Sequence, residues 1–182
     1  MKISILPIGE IEENVLKTLQ DRLVRVFSGS TCKILPKSVV PKESYNIIRR
    51  QYDSALILHK VLKFTESSET LRSKEDHVLG VADVDLYVQG LNFVFGEAQC
   101  PGKAAVISLY RLRPEFYGAP NDERLFLERA VKEAVHELGH TFGLRHCSNP
   151  LCVMHFSLHI GMTDRKQAEF CSSCKSLLNV RN

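Results

Sequence analysis

The sequence predicts one domain of the α/β (α+β) class that ends in a segment held by metal. Two observations lead to this prediction. Up to residue 143, segments with strand periodicity alternate with segments with helical periodicity. Beyond it the chain is rich in loops and carries four of the six cysteines. Because 182 residues suit a single domain with a substantial core, we expect one domain over 1–182, with an N-terminal subdomain (1–143) and a C-terminal subdomain (144–182).

The N-terminal half is predicted to begin with a strand over residues 1–9. Apolar residues at helical spacing then predict an amphipathic helix over 10–27, and a short second strand follows over 31–35. A second helix is expected near 44–64. The polar, charged segment 65–77 is expected to be a surface loop.

Three further strands and a long helix are predicted next. The strands cover residues 81–88, 92–98 and 104–109, and the last is so apolar that we expect it to be central. A turn over 99–103 joins the last two. The long helix is expected to start within residues 120–123, which supply a cap candidate and first-turn acids, and a short helix is expected near 163–178. The long helix has a predicted buried stripe of Leu127, Val131, Ala134, Leu138 and Phe142, and a remaining surface of Arg129, Glu133, His136, Glu137 and His140.

Composition excludes some classes of function. The formal net charge is +3, and the basic residues are dispersed rather than clustered with aromatics, so no nucleic-acid binding is expected. The sequence shows no secretory cleavage pattern and no apolar run of transmembrane length. We therefore expect a cytoplasmic protein, in whose reducing surroundings clustered cysteines favour metal over disulfides.

Two histidines and a glutamate in the long helix have the spacing of a catalytic zinc site. His136 and His140 lie about 40° apart around the helix and one turn apart along it, so both can reach one ion. Glu137 lies beside that ion without being a ligand. Its carboxylate can accept a proton from the attacking water and later deliver it to a leaving amine.

A third histidine can join this site only if the helix ends. In a continuous helix His146 would be rotated by about 240° from His140 and displaced by about 9 Å. Gly143 allows the chain to turn back, because glycine adopts the left-handed conformation at a helix end without steric cost. Three histidines and an open position are typical of catalytic zinc.

Four cysteines follow directly and predict a second, closed site. Cys147 and Cys152 are separated by four residues, and Cys171 and Cys174 by two, so each pair can bind one ion. Four thiolates leave no position for water, so this metal is expected to be structural. Iron instead of zinc remains an alternative at this site.

Other assignments of the cysteines and histidines are disfavoured by spacing. A zinc finger of Cys147, Cys152, His155 and His159 would have only two residues between its halves, where a finger needs about twelve. His155 and His159 are expected at the surface or behind the ligands. Cys32 and Cys100 lack partners by spacing and are expected to be small buried hydrophobic residues.

The segment from His136 to Cys174 resembles the archaemetzincins, a family of the metzincin clan. Its extended histidine motif runs into Cys-x-x-x-x-Cys-x-Met and then Cys-x-x-Cys, which places Met154 two residues after Cys152. The resemblance implies a metzincin-like (zincin-like) fold: a mixed twisted sheet with an antiparallel edge strand, an active-site helix, and a Met-turn at Met154 beneath the zinc. It identifies residues 92–98 as the edge strand, along which a peptide would bind in extended form.

These observations predict a zinc-dependent metallopeptidase with two Zn²⁺ per chain, one catalytic and one structural. The expected partner is a peptide or protein substrate, with no nucleic acid or membrane, and the chain is expected to be a monomer. The alternative is a metzincin-fold module that binds peptides with little or no turnover. Some metzincins place a tyrosine just beyond the Met-turn, but His155 and Phe156 stand there, so the oxyanion stabiliser is not identified.

Overall fold

Strands and helices are interspersed up to the end of the long helix, but the strands come in runs rather than in the alternation that the sequence predicts. The computed structural model describes residues 1–68, 71, 73 and 76–181. The strands are β1 (Lys2–Ile8), β2 (Thr31–Ile34), β3 (Tyr45–Asn46), β4 (Gln51–Asp53), β5 (Asp76–Ala82), β6 (Leu86–Tyr87), β7 (Gly96–Ala98) and β8 (Ala104–Ser108). The helices are α1 (Glu13–Val26), α2 (Ser54–Ser67), α3 (Glu123–Thr141), α4 (Ile160–Arg165) and α5 (Ser172–Arg181).

A five-stranded mixed sheet organises the chain, in the order β2-β1-β5-β8-β7. The first four strands are parallel, and β7 runs antiparallel to β8 at the edge. This confirms the predicted mixed sheet with an antiparallel edge strand. A small second sheet, β3-β4-β6, lies beside it. β8 lies inside the main sheet, as its continuous apolar sequence predicted.

Helices cover both faces of the main sheet. Ile3 and Ile5 of β1 belong to the core beneath α1 and α3, whereas Leu6 and Ile8 belong to the core beneath α2. Both faces of the central strands are therefore buried, which is why β5 and β8 are buried at every position.

The active-site helix α3 begins and ends where the sequence predicts. The carboxylate of Asp122 accepts a hydrogen bond from the backbone N–H of Leu125 at 2.9 Å and so caps the first turn. Gly143 follows the helix with φ of 82°, and its N–H donates to the carbonyl of His140 at 2.7 Å. The chain reverses direction there.

The sequence predicted burial only for the apolar stripe of α3, but most of its polar side is buried as well. Arg129, Glu133, His136 and Glu137 are all buried, with 3–6% of their surface exposed. The C-terminal segment and β7 cover the side of the helix that would otherwise face solvent. Periodicity within one helix cannot reveal that other segments of the chain cover its polar side.

Three predicted boundaries in the first half are also wrong. The helix expected near 44–64 starts at Ser54, because Asp53 caps it and residues 45–53 form a hairpin of the short strands β3 and β4. The loop expected over 65–77 is in part the end of α2, and Asp76 and His77 are buried in β5. Residues 69, 70, 72, 74 and 75 of that expected loop lie outside the described residues. The strand expected over 81–88 is the end of β5, a turn and β6.

Further corrections concern the second half. The edge strand expected over 92–98 is shorter in the structure: β7 is Gly96–Ala98, Phe95 adds one backbone hydrogen bond to Ser108, and Val94 forms a bridge to Leu86 instead. The single helix expected near 163–178 is two helices, α4 and α5. Cys100 is exposed in the 99–103 turn rather than buried, and Cys32 is half-buried. Within the described residues, no helix is both long and apolar enough to cross a bilayer.

Candidate active site

The three predicted histidines meet at one point. His136 and His140 project from neighbouring turns of α3, and the reversal after Gly143 brings His146 back to them. One ligand nitrogen from each lies within 4.8 Å of the others. The Nε2 atoms of His136 and His140 are 3.2 Å apart. Two nitrogens bound tetrahedrally to zinc at about 2.0 Å would be about 3.3 Å apart, so the spacing fits that ion.

Backbone carbonyls fix the orientation of two of these rings. His136 Nδ1 lies 2.7 Å from the carbonyl oxygen of Val153, and His140 Nδ1 lies 2.7 Å from that of Leu144. An Nδ1–H that donates to a carbonyl leaves the Nε2 lone pair directed at the metal position. Both carbonyls belong to the C-terminal segment, so that segment orients ligands contributed by α3.

The surroundings keep the histidines neutral. Burial lowers the pKa of His136 well below its ordinary value, and the charge of Lys166 lowers it further. Burial also lowers the pKa of His140 and of His146, which is the most exposed of the three. Because only the neutral imidazole binds metal, this environment favours the ligand form.

Glu137 lies beside the histidines in a buried position. Burial raises the pKa of its carboxyl well above the ordinary value, and the nearby carboxyl of Glu133 acts in the same direction. Gly96 of β7 passes directly against this side chain: a Cβ there would be 2.6 Å from Glu137 Cγ and 2.8 Å from its Oε1. Gly96 is therefore a site residue that the sequence reasoning missed, and only the tertiary contact identifies it.

Met154 lies against the active-site helix at Gly139. It is fully buried, and a Cβ at Gly139 would be 2.5 Å from its sulfur. The glycine between the two helical histidines thus makes room for the thioether. The carbonyl of Met154 also accepts a hydrogen bond from Cys147 N–H at 2.9 Å, which links this turn to the first cysteine.

The four predicted cysteines form a second cluster, with all sulfurs within 4.8 Å of one another. The Sγ atoms of Cys147 and Cys171, and those of Cys152 and Cys174, are 3.8 Å apart. Thiolates about 2.3 Å from a tetrahedral zinc would be about 3.8 Å apart, so these distances also fit zinc.

The histidines near the cysteines stay outside the cluster. His155 is half-buried, and its Nδ1 lies 2.9 Å from the carbonyl of Cys147, while His159 is exposed. The zinc-finger assignment is therefore wrong. Within the cluster, a backbone hydrogen bond from Cys174 lowers the pKa of Cys171 to about 7, which favours its thiolate.

A buried ion pair between Lys166 and Glu133 lies beside the site. Neither residue was predicted to belong to the site. Lys166 is 1% exposed, and its Nζ lies 3.0 Å from Oε1 of Glu133. Thr163 donates a hydrogen bond to the same oxygen at 3.0 Å. Glu133 is one turn before Glu137 in α3, a spacing that could have suggested a shared face. No spacing in the sequence indicates that Lys166 lies beside the site.

A narrow cleft opens beside Glu137 and His136. Its volume is about 180 Å³, and its walls are residues 91–96 on one side and 156–158 on the other. Glu133 also lines it.

Known proteins resemble the chain over its whole length. The sequence profile described as Peptidase family M54 matches residues 2–180. The archaemetzincin of Methanocaldococcus jannaschii is 46% identical over 181 residues, covering 100% of this chain and 94% of that protein. The archaemetzincin of Pyrococcus furiosus is 44% identical, covering 98% of this chain and 93% of that protein.

Solved structures agree. The crystal structure of archaemetzincin from Archaeoglobus fulgidus complexed with malonate has a TM-score of 0.80 at 40% identity, covering 97% of this chain and 99% of that chain. The zinc-dependent peptidase from Methanocorpusculum labreanum has a TM-score of 0.87 at 29% identity, covering 97% of this chain and 100% of that chain. The chain therefore belongs to the archaemetzincins, peptidase family M54, and is a zinc metallopeptidase of the metzincin clan.

Proposed function

We propose that His136, His140 and His146 hold a catalytic zinc and that Glu137 is the general base of peptide hydrolysis. The observation that carries this proposal is the convergence of three histidine nitrogens within 4.8 Å beside a buried glutamate. When bound, zinc would polarise the peptide carbonyl and lower the pKa of the attacking water. Glu137 accepts the proton of that water and passes it to the departing amine. The buried surroundings of Glu137 support this role, because they favour the protonated carboxyl that must exist between the two transfers.

The cysteine cluster is proposed to hold a second, structural zinc. Four sulfur ligands fill a tetrahedron, so no position remains for substrate or water. Val153 and Leu144, whose carbonyls orient the helical histidines, come from the segment that this metal would fix. Residues 144–182 would thus act as a C-terminal subdomain that completes a site begun by residues 1–143.

The substrate is proposed to bind as an extended peptide along β7. Ser108 N–H donates to the carbonyl of Phe95, and Gln99 N–H donates to that of Ala104, so alternate residues of this strand face β8. Gly96 and Ala98 then direct their backbone groups outward. Among the described residues, no backbone hydrogen bond engages those outward groups. Gly96 lies next to Glu137, and the outward groups can pair with a peptide by strand addition.

The general-base role is tested by Glu137→Gln, which keeps the size of the side chain but removes the base. With two zinc ions per chain confirmed by metal analysis, digestion of a mixed peptide library should slow by about a hundredfold or more. Glu123→Gln, an exposed change in the first turn of the same helix, should cleave normally. Equal cleavage by zinc-loaded Glu137→Gln would contradict the mechanism. Metal-independent cleavage by the wild type would contradict the assignment of the site.

The edge-strand proposal is tested separately with Ala98→Pro, matched to Ala98→Gly. Proline removes the outward N–H but leaves the groups that pair with β8, and edge strands tolerate it. We expect KM to rise by about three- to tenfold, the contribution of one hydrogen bond, with little change in kcat. Glycine keeps the N–H and should leave KM near that of the wild type. Equal KM values for the two variants would place the peptide elsewhere.

A further inference from the structure

A second cavity, of about 590 Å³, lies between the end of α1, the end of α3 and α5. Its lining includes Arg25 and Phe27 at the end of α1, Phe142 after α3, and Lys175 of α5. None of its lining residues lines the cleft beside the histidines. The proposed hydrolysis does not use this cavity.

The polar groups of the cavity are mainly cationic. Arg22, Arg25 and Lys175 line it together with a single carboxylate, Glu169. Arg22 already pairs with Glu128 at 2.7 Å. Within the described part of the chain, Arg25 and Lys175 form no ion pair. The cavity therefore presents two cations without an ion-pair partner against the one carboxylate of Glu169, and this excess of positive charge favours an anion.

The apolar groups of the cavity form an aromatic surface. Phe27 lies against Phe142 with ring centroids 5.5 Å apart and against Phe170 at 5.6 Å. Leu178 and Val26 extend this surface. A flat apolar body would bury its area here and gain edge-to-face contacts with the rings.

We propose that this cavity binds a small amphipathic anion, with a flat apolar body and one carboxylate. The volume lies within the range of about 300–1,000 Å³ typical of small-molecule sites, which combine an apolar lining with a few polar groups that fix orientation. The apolar body packs on the phenylalanines, and the carboxylate pairs with Arg25 and Lys175.

The position of the cavity gives this binding a structural consequence. Phe142 directly follows α3, which carries His136 and His140, and Phe170 directly precedes Cys171. A ligand that contacts both rings bridges the end of the active-site helix and the segment of the cysteine cluster. Its binding should therefore protect backbone amides in both places from hydrogen exchange.

The test uses 2-naphthoate as the probe with zinc-loaded, full-length protein. Titration calorimetry should show one site with a Kd of about 1 mM or tighter, the range expected for a probe of about 13 non-hydrogen atoms. The neutral analogue 2-naphthalenemethanol should bind at least about tenfold more weakly, because it cannot pair with the cations. Hydrogen exchange should slow in residues 25–28, 142–144 and 169–175 rather than in 91–96.

Charge variants decide whether the cavity is the binding site. The double variant Arg25→Gln/Lys175→Gln changes two exposed residues, so it should fold normally and lose about tenfold or more in affinity for naphthoate. Lys63→Gln, an exposed change on α2, should bind as the wild type does. Affinity that persists in the double variant, or protection confined to 91–96, would place the anion at the histidine zinc and overturn the proposal. Absence of saturable binding would also overturn it.

Discussion

The buried Lys166–Glu133 pair provides a quantitative test of how α4 supports the active site. Lys166→Met removes one charge and leaves Glu133 buried with Thr163 as its hydrogen-bond donor. Removing one partner of a buried pair costs about 3–5 kcal/mol. Because Thr163 still donates a hydrogen bond to the carboxylate, we expect the free energy of unfolding to fall by about 3 kcal/mol, the lower end of that range. For a chain of this size that loss corresponds to a fall in Tm of about 6–12 °C.

The second half of this test is a double-mutant cycle. Glu133→Gln/Lys166→Met removes both charges and keeps an acceptor for Thr163. Its free energy of unfolding should therefore be about 1–2 kcal/mol higher than that of Lys166→Met. Lys17→Met is the control, because Lys17 pairs with Glu13 on the exposed face of α1. It should leave Tm unchanged.

Thermal unfolding followed by circular dichroism measures five proteins: the wild type, Lys166→Met, Glu133→Gln, the double variant and the Lys17→Met control. All are measured at equal zinc concentration, since bound metal itself shifts Tm. A Lys166→Met protein that melts with the wild type would refute the reasoning. Strictly additive effects in the double variant would do the same, because they would show that the two side chains do not interact.

Three further predictions concern the turn after α3, the core and the edge strand. Gly143→Ala and Gly29→Ala both place a side chain at positive φ, 82° and 80°, and each should lower stability by about 1 kcal/mol. Only Gly143→Ala should also weaken zinc at the histidine site, which competition with a chelator measures. Burial lowers the pKa of His77 to about 4 from an unfolded value of about 6.5. The unfolded chain therefore binds the proton more readily than the folded chain. The free energy of unfolding should fall by about 3 kcal/mol as pH falls from 6.5 to 4. His77→Gln should remove that part of the pH dependence in urea titrations, and an unchanged slope would contradict it. Gly96→Ala would put a Cβ 2.6 Å from Glu137 Cγ and from the carbonyl of Val106. It should reduce kcat/KM by at least about tenfold. Normal activity would mean that β7 can move to accommodate the methyl group without displacing Glu137.

The sequence alone predicted much of the fold because local patterns carry it. The cap of α3 and the apolar spacing of α1 and α3 are local, and so is the continuous apolar run of β8. The errors occur where local pattern and tertiary position separate. His77 stands in a polar stretch of sequence but is buried in β5, and the alternation over 81–88 arises from a turn between two strands. Cys100 was expected to be buried by residue type, yet its place in a turn leaves it exposed.

For the site, the sequence by itself determined the ligand sets, because metal geometry requires fixed residue types at short, fixed spacings. His136, His140 and Glu137 follow from the helical repeat, His146 from the reversal at Gly143, and the cysteines from two short pairs. Only the tertiary structure decided what surrounds them. The Val153 carbonyl, Gly96 and Lys166 reach the site from separate parts of the chain, and their contacts depend on how the layers pack rather than on any local repeat.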